Sequence, residues 1–210
     1  DYARRDRRIR LLPRPHSGVV GAMNAGVEAS RAPIIARMDA DDRMYPQRLE
    51  RQMRWLDAHP DIDLVGTQVR LFPARAVRGG FDAYIRWQNA CLTPDAIANE
   101  AYIELPIANP TLMVRKRTVE RLGGWRHGAF PEDYEFILRL LHAGRRLAKV
   151  PEVLLDWRDV RDRSGQAMSC TRENAIKLFT DLPDLFGDLQ TQASKFANYR
   201  RQEIERTSGN

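Results

Sequence analysis

"IIARMDADDRMYP", residues 34–46, places a short apolar run directly before Asp39, Asp41 and Asp42, with a proline just after them. The run 34–38 suits a buried parallel strand, and the acidic cluster falls at its carboxyl end. In open α/β sheets, ligands bind at that end. Three carboxylates within four positions repel one another. A fold tolerates them when something positive joins them: a metal ion, an arginine cluster, a helix N-terminus, or plain solvent. Mg2+ and Mn2+ are hard cations that prefer oxygen, and Mg2+ is commonly held by one or two carboxylates plus substrate phosphates. Taken alone, Asp-x-Asp-Asp is a weak pattern. A turn in which Asp42 caps the helix opened by Pro46 is the plain alternative.

The elements around this stretch alternate between strand and helix. "RIRLLPR" (8–14) reads as a short strand ended by prolines, and "GVVGAMNAGVEASR" (18–31) as a helix with small residues on one side. In "PQRLERQMRWLDAH" the residues Leu49, Met53 and Leu56 form an amphipathic stripe. "DIDLVGTQVRLF" (61–72) reads as a strand and "FDAYIRWQNACL" (81–92) as a helix. Thr93-Pro94 caps a further short helix to about Ala101. "PTLMVRK" (110–116) is a strand, followed by a short helix stopped at Gly123 and Gly124. "PEDYEFILRLLHAG" (131–144) opens with Pro131, Glu132 and Asp133 and closes at Gly144, with Phe136, Ile137, Leu140 and Leu141 on one face. "RLAKVPEVLLDWR" (146–158) reads as a broken final strand, and the chain from about 170 as helical and polar. This alternation implies an α/β sandwich.

Composition narrows the function classes. With 210 residues and 43% hydrophobic content, the chain can build one ordinary domain with a real core. No apolar run approaches the roughly 18–20 residues of a membrane span. The start, DYARRDRRIR, has neither an initiator Met nor an apolar leader, and reads as a piece cut from something longer. The two cysteines, Cys91 and Cys170, lack metal spacing and are expected to be reduced and structural, as in the cytosol. The four histidines are scattered, which argues against a histidine-based metal site. A net charge of +6 signals a general preference for anions, yet only four of the 34 basic residues are lysines and no nucleic-acid motif accompanies them. No nucleic-acid partner is expected.

The second acidic site is Glu132-Asp133. A helix N-terminus favours negative charge and keeps an acid ionised, ready to accept a proton. Simple capping of the helix is the more ordinary explanation on local grounds.

Two long stretches carry a family resemblance. "GVVGAMNAGVEASRAPIIARMDADDRMYPQRLERQMRWLDAHPDIDLVGTQV" resembles the central part of a family 2 glycosyltransferase with a GT-A fold. It has the Ala22, Asn24, Gly26 pattern, the Asp-Ala-Asp-Asp turn, a proline-started helix and a Val-Gly strand. "NPTLMVRKRTVERLGGWRHGAFPEDYEFILRLLHAGRRLAKVPEVLLDWR" is similar to the second half, with Gly-Gly-aromatic, Glu-Asp-Tyr and Pro-Glu-x-Leu in order. The likeness runs from about residue 8 to 165. It implies a GT-A α/β/α sandwich with a mixed central sheet over residues 1–165, partial at its N-terminus, and a helical extension over 166–210.

The resemblance also implies a chemistry. An inverting enzyme would move a sugar from a nucleotide-diphosphate donor to an acceptor hydroxyl, in cell-surface polysaccharide or glycolipid synthesis. Asp133 would be the catalytic base and Glu132 would position the acceptor. Asp41 would hold Mg2+ or Mn2+, and Asp39, Asn24 and Arg158 would contact the donor. For Asn24, capping a backbone turn is an equal alternative. The acceptor would be a saccharide or lipid-linked intermediate. The protein would be cytoplasmic, with peripheral contact at the inner face of the plasma membrane left open.

Two departures from the pattern stand out. The strand and helix that carry part of the nucleotide-base pocket have no counterpart here, so this chain alone is expected to bind nucleotide poorly. Val160 also stands where the family often has a His, although Arg161 and Arg163 nearby could screen a diphosphate. Sugar-activating nucleotidyltransferases share the metal-binding Asp but need a Gly-rich basic loop that is not visible. A non-catalytic module that binds anionic surfaces through its arginines is the remaining alternative, and its binding would collapse with salt.

Overall fold

The computed structural model describes residues 1–72, 79–128 and 130–158. The expected helical extension over 166–210, together with Val160, Arg161, Arg163 and Cys170, lies outside these residues.

In chain order the elements are α1 (Tyr2–Arg5), α2 (Gly18–Ala29), β1 (Ile34–Ala36), β2 (Arg43–Met44), α3 (Arg48–Ala58), β3 (Leu64–Phe72), α4 (Gly79–Ala90) and α5 (Pro94–Glu100). A 3-10 turn (Asn109–Thr111) follows, then β4 (Met113–Arg115), α6 (Lys116–Arg121), α7 (Glu132–His142) and β5 (Leu147–Arg158). The strands form one mixed sheet in the order β1-β4-β3-β5-β2. Among the described residues, β3 and β5 pair in parallel and the other strand pairs are antiparallel.

Successive residues on a strand face opposite sides of the sheet, and both sides here are covered. Leu64, Val114 and Leu147 pack with Val20, Val27, Ile97, Val119, Trp125 and Phe136 on the side of α2, α5, α6 and α7. Their strand neighbours Val65, Met113 and Ala148 pack with Leu56 of α3 on the other side. A smaller cluster ties Val69, Leu71 and Leu155 to Ile85 of α4. These are the three layers that the alternation of elements implies.

Four local expectations change. Residues 8–14 form no strand and are exposed, because no neighbouring strand pairs with them. The run after Pro33 is a strand of three residues, and it is neither buried nor parallel. It lies at the sheet edge, half-exposed, antiparallel to β4. The final strand is continuous rather than broken. Its register against β3 jumps from Thr67↔Val150 to Gln68↔Val153, so Pro151, which has no N–H to give the ladder, is accommodated in a bulge. Helix α7 is buried almost all round from Tyr134 to Leu140, whereas Leu141 is only partly buried. Glu135 and Arg139 are part of that buried surface and form an ion pair at 2.7 Å; Arg139 also donates to the carbonyls of Leu122 and Gly124. That pairing seats α7 against the end of α6.

Helix α3 sends two polar side chains into the core, both with 0% exposure. Arg48 donates to Gln52 Oε1 at 3.0 Å and to the Arg37 carbonyl at 2.7 Å. Gln52 Nε2 donates to the Val65 and Thr111 carbonyls at 2.9 and 2.8 Å. The pair therefore links the acidic turn, β3 and the 3-10 turn through one helix face. Gln52→Leu strips two buried carbonyls of their side-chain donor. It should cost about 2–4 kcal/mol, read as a lower urea midpoint at unchanged slope.

Candidate active site

The site is built on the turn that leaves β1. The Arg37 N–H donates to the Leu112 carbonyl at 2.8 Å, extending the β1–β4 pairing by one residue. The chain then turns, with Asp42 N–H donating to the Asp39 carbonyl at 3.3 Å, and re-enters the sheet as β2 beside β5. Each aspartate meets a different environment. Asp39 accepts from both terminal nitrogens of Arg37, at 2.8 and 3.1 Å. Asp42, 8% exposed, accepts from the Arg158 N–H at 2.8 Å, and its charge acts on the buried Arg48, whose pKa is nonetheless pushed down to about 10 by burial. Arg158 Nε donates to the Asp41 carbonyl at 2.8 Å. Much of the crowding is thus relieved inside the protein, by arginines and by the end of β5.

Two further contacts add positive charge to this end of the sheet. The guanidinium groups of Arg43 and Arg158 lie 4.8 and 4.9 Å from the ring centre of Phe72, close enough for cation–π attraction.

The second acidic site opens α7. Asp133 Oδ1 accepts from the Tyr134 N–H at 2.8 Å, and Tyr134, buried, donates from its hydroxyl to the Ala101 carbonyl at 2.6 Å. The Asp133 carboxyl is raised to about 6. Burial is the main cause and the neighbouring Glu132 charge the second, while the Tyr134 N–H and the Arg37 guanidinium hold it down. The charge of Asp133 in turn raises the hydroxyl of Tyr84, which is already pushed well above the usual range by burial.

Arg37 is therefore common to both acidic stretches. It grips Asp39 directly and acts electrostatically on Asp133, 96 positions away in the chain. It is the residue that motif reading passes over. A signal was present, since residues i and i+2 of an extended chain share a face, which brings an Arg-x-Asp pair into register.

Asn24 is committed elsewhere. Its amide donates to the Trp125 carbonyl at 2.9 Å and accepts from the Trp125 N–H at 2.9 Å. This clamp joins α2 to the turn after α6. It also explains Gly124, whose φ of +74° is left-handed and whose added Cβ would lie 2.4 Å from Asn24 Oδ1. Asn24 thus holds this turn in place, as the capping alternative describes. Trp125 stacks on Phe136 at 4.5 Å. Cys91 is a buried free thiol pushed up to about 11, chiefly by burial, which suits packing and not nucleophilic chemistry.

Among the described residues, no three His, Cys, Asp or Glu side chains converge as a metal cage. Asp41 brings one further carboxylate to the turn that Asp39 and Asp42 share. Such a donor set fits a hard divalent cation that takes most of its ligands from a substrate diphosphate.

Comparison with known proteins places the chain. The family profile described as Glycosyl transferase family 2 matches residues 1–123. A second profile, described as YdaY prophage protein, matches residues 147–210, a stretch that begins with β5 of the central sheet. The amylovoran biosynthesis glycosyltransferase AmsE of Erwinia amylovora is 30% identical over 141 residues, covering 67% of this chain and 50% of AmsE. The O-antigen biosynthesis glycosyltransferase WbnJ of Escherichia coli is 30% identical over 171 residues, covering 79% of this chain and 62% of WbnJ. The chain thus spans from half to about three-fifths of the length of these relatives. Among solved structures, S. aureus TarS 1-349 in complex with UDP-GlcNAc matches with a TM-score of 0.59 at 11% identity, over 87% of this chain and 52% of that one. The likeness extends to the mixed-sheet α/β architecture and identifies the fold as GT-A. With the profile covering more than half of its residues, the acidic turn included, this chain belongs to glycosyl transferase family 2.

Proposed function

We propose that the protein is an inverting glycosyltransferase that moves a sugar from a nucleotide-diphosphate donor to an acceptor hydroxyl in cell-surface polysaccharide or glycolipid synthesis. The observation that carries this reading is Arg37, whose guanidinium binds Asp39 and acts on Asp133 as well. It ties the donor-side turn to the start of α7. A carboxylate raised to about 6 is a competent base near neutral pH, because it is mostly ionised yet holds a proton better than an ordinary aspartate.

In this reading Asp133 takes the proton of the acceptor hydroxyl as the oxygen attacks the anomeric carbon. The bond from that carbon to the diphosphate oxygen breaks, its electron pair leaves with the nucleotide, and one displacement inverts the configuration. Glu132 positions the acceptor. Asp39, held by two Arg37 hydrogen bonds, keeps lone pairs for a ribose or sugar hydroxyl. Asp41 would hold Mg2+ or Mn2+, which when bound supplies Lewis-acid neutralisation of the departing diphosphate. Arg158, whose backbone and Nε brace the aspartate turn, lends positive charge on the same side. UDP-GlcNAc, bound in the TarS structure of like fold, belongs to the donor class proposed. Among the described residues no helix is long and apolar enough to cross a membrane. The lipid-linked or saccharide acceptor would be met at the cytoplasmic face of the membrane.

A panel of nucleotide-sugars, offered to the full-length protein with and without Mn2+, tests this directly. One sugar-nucleotide should be turned over, with the anomeric configuration of the product inverted by NMR. The Asp41→Asn variant should lose metal-dependent donor binding by tenfold or more. Undiminished donor affinity in that variant would remove Asp41 from the donor site.

A further inference from the structure

Residues 2–17 contribute no strand to the sheet. The stretch is fastened to α2 at both ends of that helix. Arg10 donates from Nη1 to the carbonyl of Ala29, the last helical residue, at 2.9 Å, and Gly18 is the first. Between these points the chain runs back along α2, where Leu12, Arg14 and Pro15 enclose a cavity of about 250 Å³ with Ala22 and Ala25. At helical spacing those alanines lie opposite Val20 and Val27, which face the core. The stretch is thus strapped to the face of α2 turned away from the core, and it is exposed along its length. Five of the nine large apolar side chains exposed among the described residues fall in it or just after it: Tyr2 (76%), Leu11 (77%), Ile9, Leu12 and Val19. Arg4, Arg5, Arg7, Arg8, Arg10 and Arg14 are interleaved with them. Asp6 lies among these arginines, and Arg8 already pairs with it at 2.6 Å.

One exposed leucine needs no explanation, but a concentration of them marks an interaction surface. The partner must take both kinds of side chain at once. Nucleic acid offers phosphates to the arginines and little to Ile9, Leu11 and Leu12. The boundary of an anionic bilayer offers both: headgroup charge attracts clustered arginines, and apolar side chains between them enter the acyl boundary. We propose that residues 2–19 form a docking surface for an anionic lipid membrane, the arginines held at the headgroups and Ile9, Leu11 and Leu12 inserted beneath them. Either signal alone gives weak, reversible attachment, and together they give a stable one. This surface would hold the protein where a lipid-linked acceptor is met. Its binding is measured without any sugar donor, so its failure leaves the glycosyltransferase reading untouched.

Co-sedimentation of the full-length protein with vesicles tests it, comparing phosphatidylcholine alone with phosphatidylcholine containing about 30% phosphatidylglycerol. The wild type should bind the anionic vesicles about a hundredfold or more tightly than the neutral ones. Arg4→Gln, Arg5→Gln and Arg7→Gln together should remove most of that preference. Ile9→Ser with Leu11→Ser should weaken binding to anionic vesicles by about tenfold, with the melting temperature unchanged. Leu11→Trp should strengthen it, since tryptophan favours the membrane interface. No binding, equal binding to both vesicles, or indifference to the apolar changes would each overturn the proposal. Duplex DNA bound more tightly than the vesicles, and equally by the Ile9/Leu11 variant, would assign the surface to nucleic acid instead. A lipid-free dimer that the same variant dissolves would assign it to a second copy of the chain.

Discussion

Asp133→Asn should lower the rate of sugar transfer by about 10²–10⁴-fold, the usual contribution of a positioned general base, while making the protein more stable at neutral pH. Both effects come from the same burial. The Asp133 carboxyl is raised to about 6, by burial first and by the Glu132 charge second. An acid whose folded pKa lies above its unfolded value contributes full stability below the unfolded pKa, and that contribution is lost as pH rises through the folded one. At pH 8 the wild type therefore carries the cost of an ionised, partly buried carboxylate. A rise of this size corresponds to about 2–3 kcal/mol at most. The asparagine variant escapes that cost and can still accept the Tyr134 N–H. Its advantage in melting temperature should be largest near pH 8 and absent near pH 4. The wild-type rate should climb through pH 6 as the base ionises, and the variant's residual rate should show no such limb. A variant that keeps its transfer rate would show that the proton goes elsewhere.

Arg37→Met should have the next largest effect, about 10²-fold in transfer, by two separable routes. Asp39 loses both of its guanidinium hydrogen bonds, charge-assisted contacts that would order it for a donor hydroxyl in the proposed role. Asp133 loses a positive charge that favours its ionised form, so the acid limb of the pH–rate profile should move to higher pH. Arg37→Lys divides the routes, since a lysine keeps the charge but not the two-pronged grip. It should leave the limb nearly in place and weaken donor binding. Profiles of the Met variant that superimpose on the wild type would mean that Arg37 does not act on the base, and the link between the two acidic stretches would be lost.

Much of the architecture was written in local patterns. Pro131 with Glu132 and Asp133 at one end and Gly144 at the other bracket a helix observed at Glu132–His142. Thr93 caps α5 through its side chain, accepting from the Ala96 N–H at 3.2 Å, as the Thr-Pro pair indicated. Strand β3 falls within the alternating 61–72 stretch. The acidic turn stood out in the sequence because three aspartates behind an apolar run are locally odd. Arg48 and Gln52 were not legible. They are charged or polar residues outside the apolar stripe of an amphipathic helix, and their burial depends on carbonyls of residues 37, 65 and 111.

Capping, periodicity and like-charge crowding act between chain neighbours. The residues in order were therefore enough to show where most helices begin and end, which stretches could be strands, and which carboxylates were out of place. Strand pairing and electrostatics depend instead on what arrives from elsewhere in the chain. Folding in three dimensions was needed to make the strand from Ile34 an antiparallel edge, to join Asn24 to Trp125, and to bring the charge of Arg37, paired with Asp39, to bear on Asp133. Burial by such distant residues is what lifts Asp133 into the range where it can act as a base.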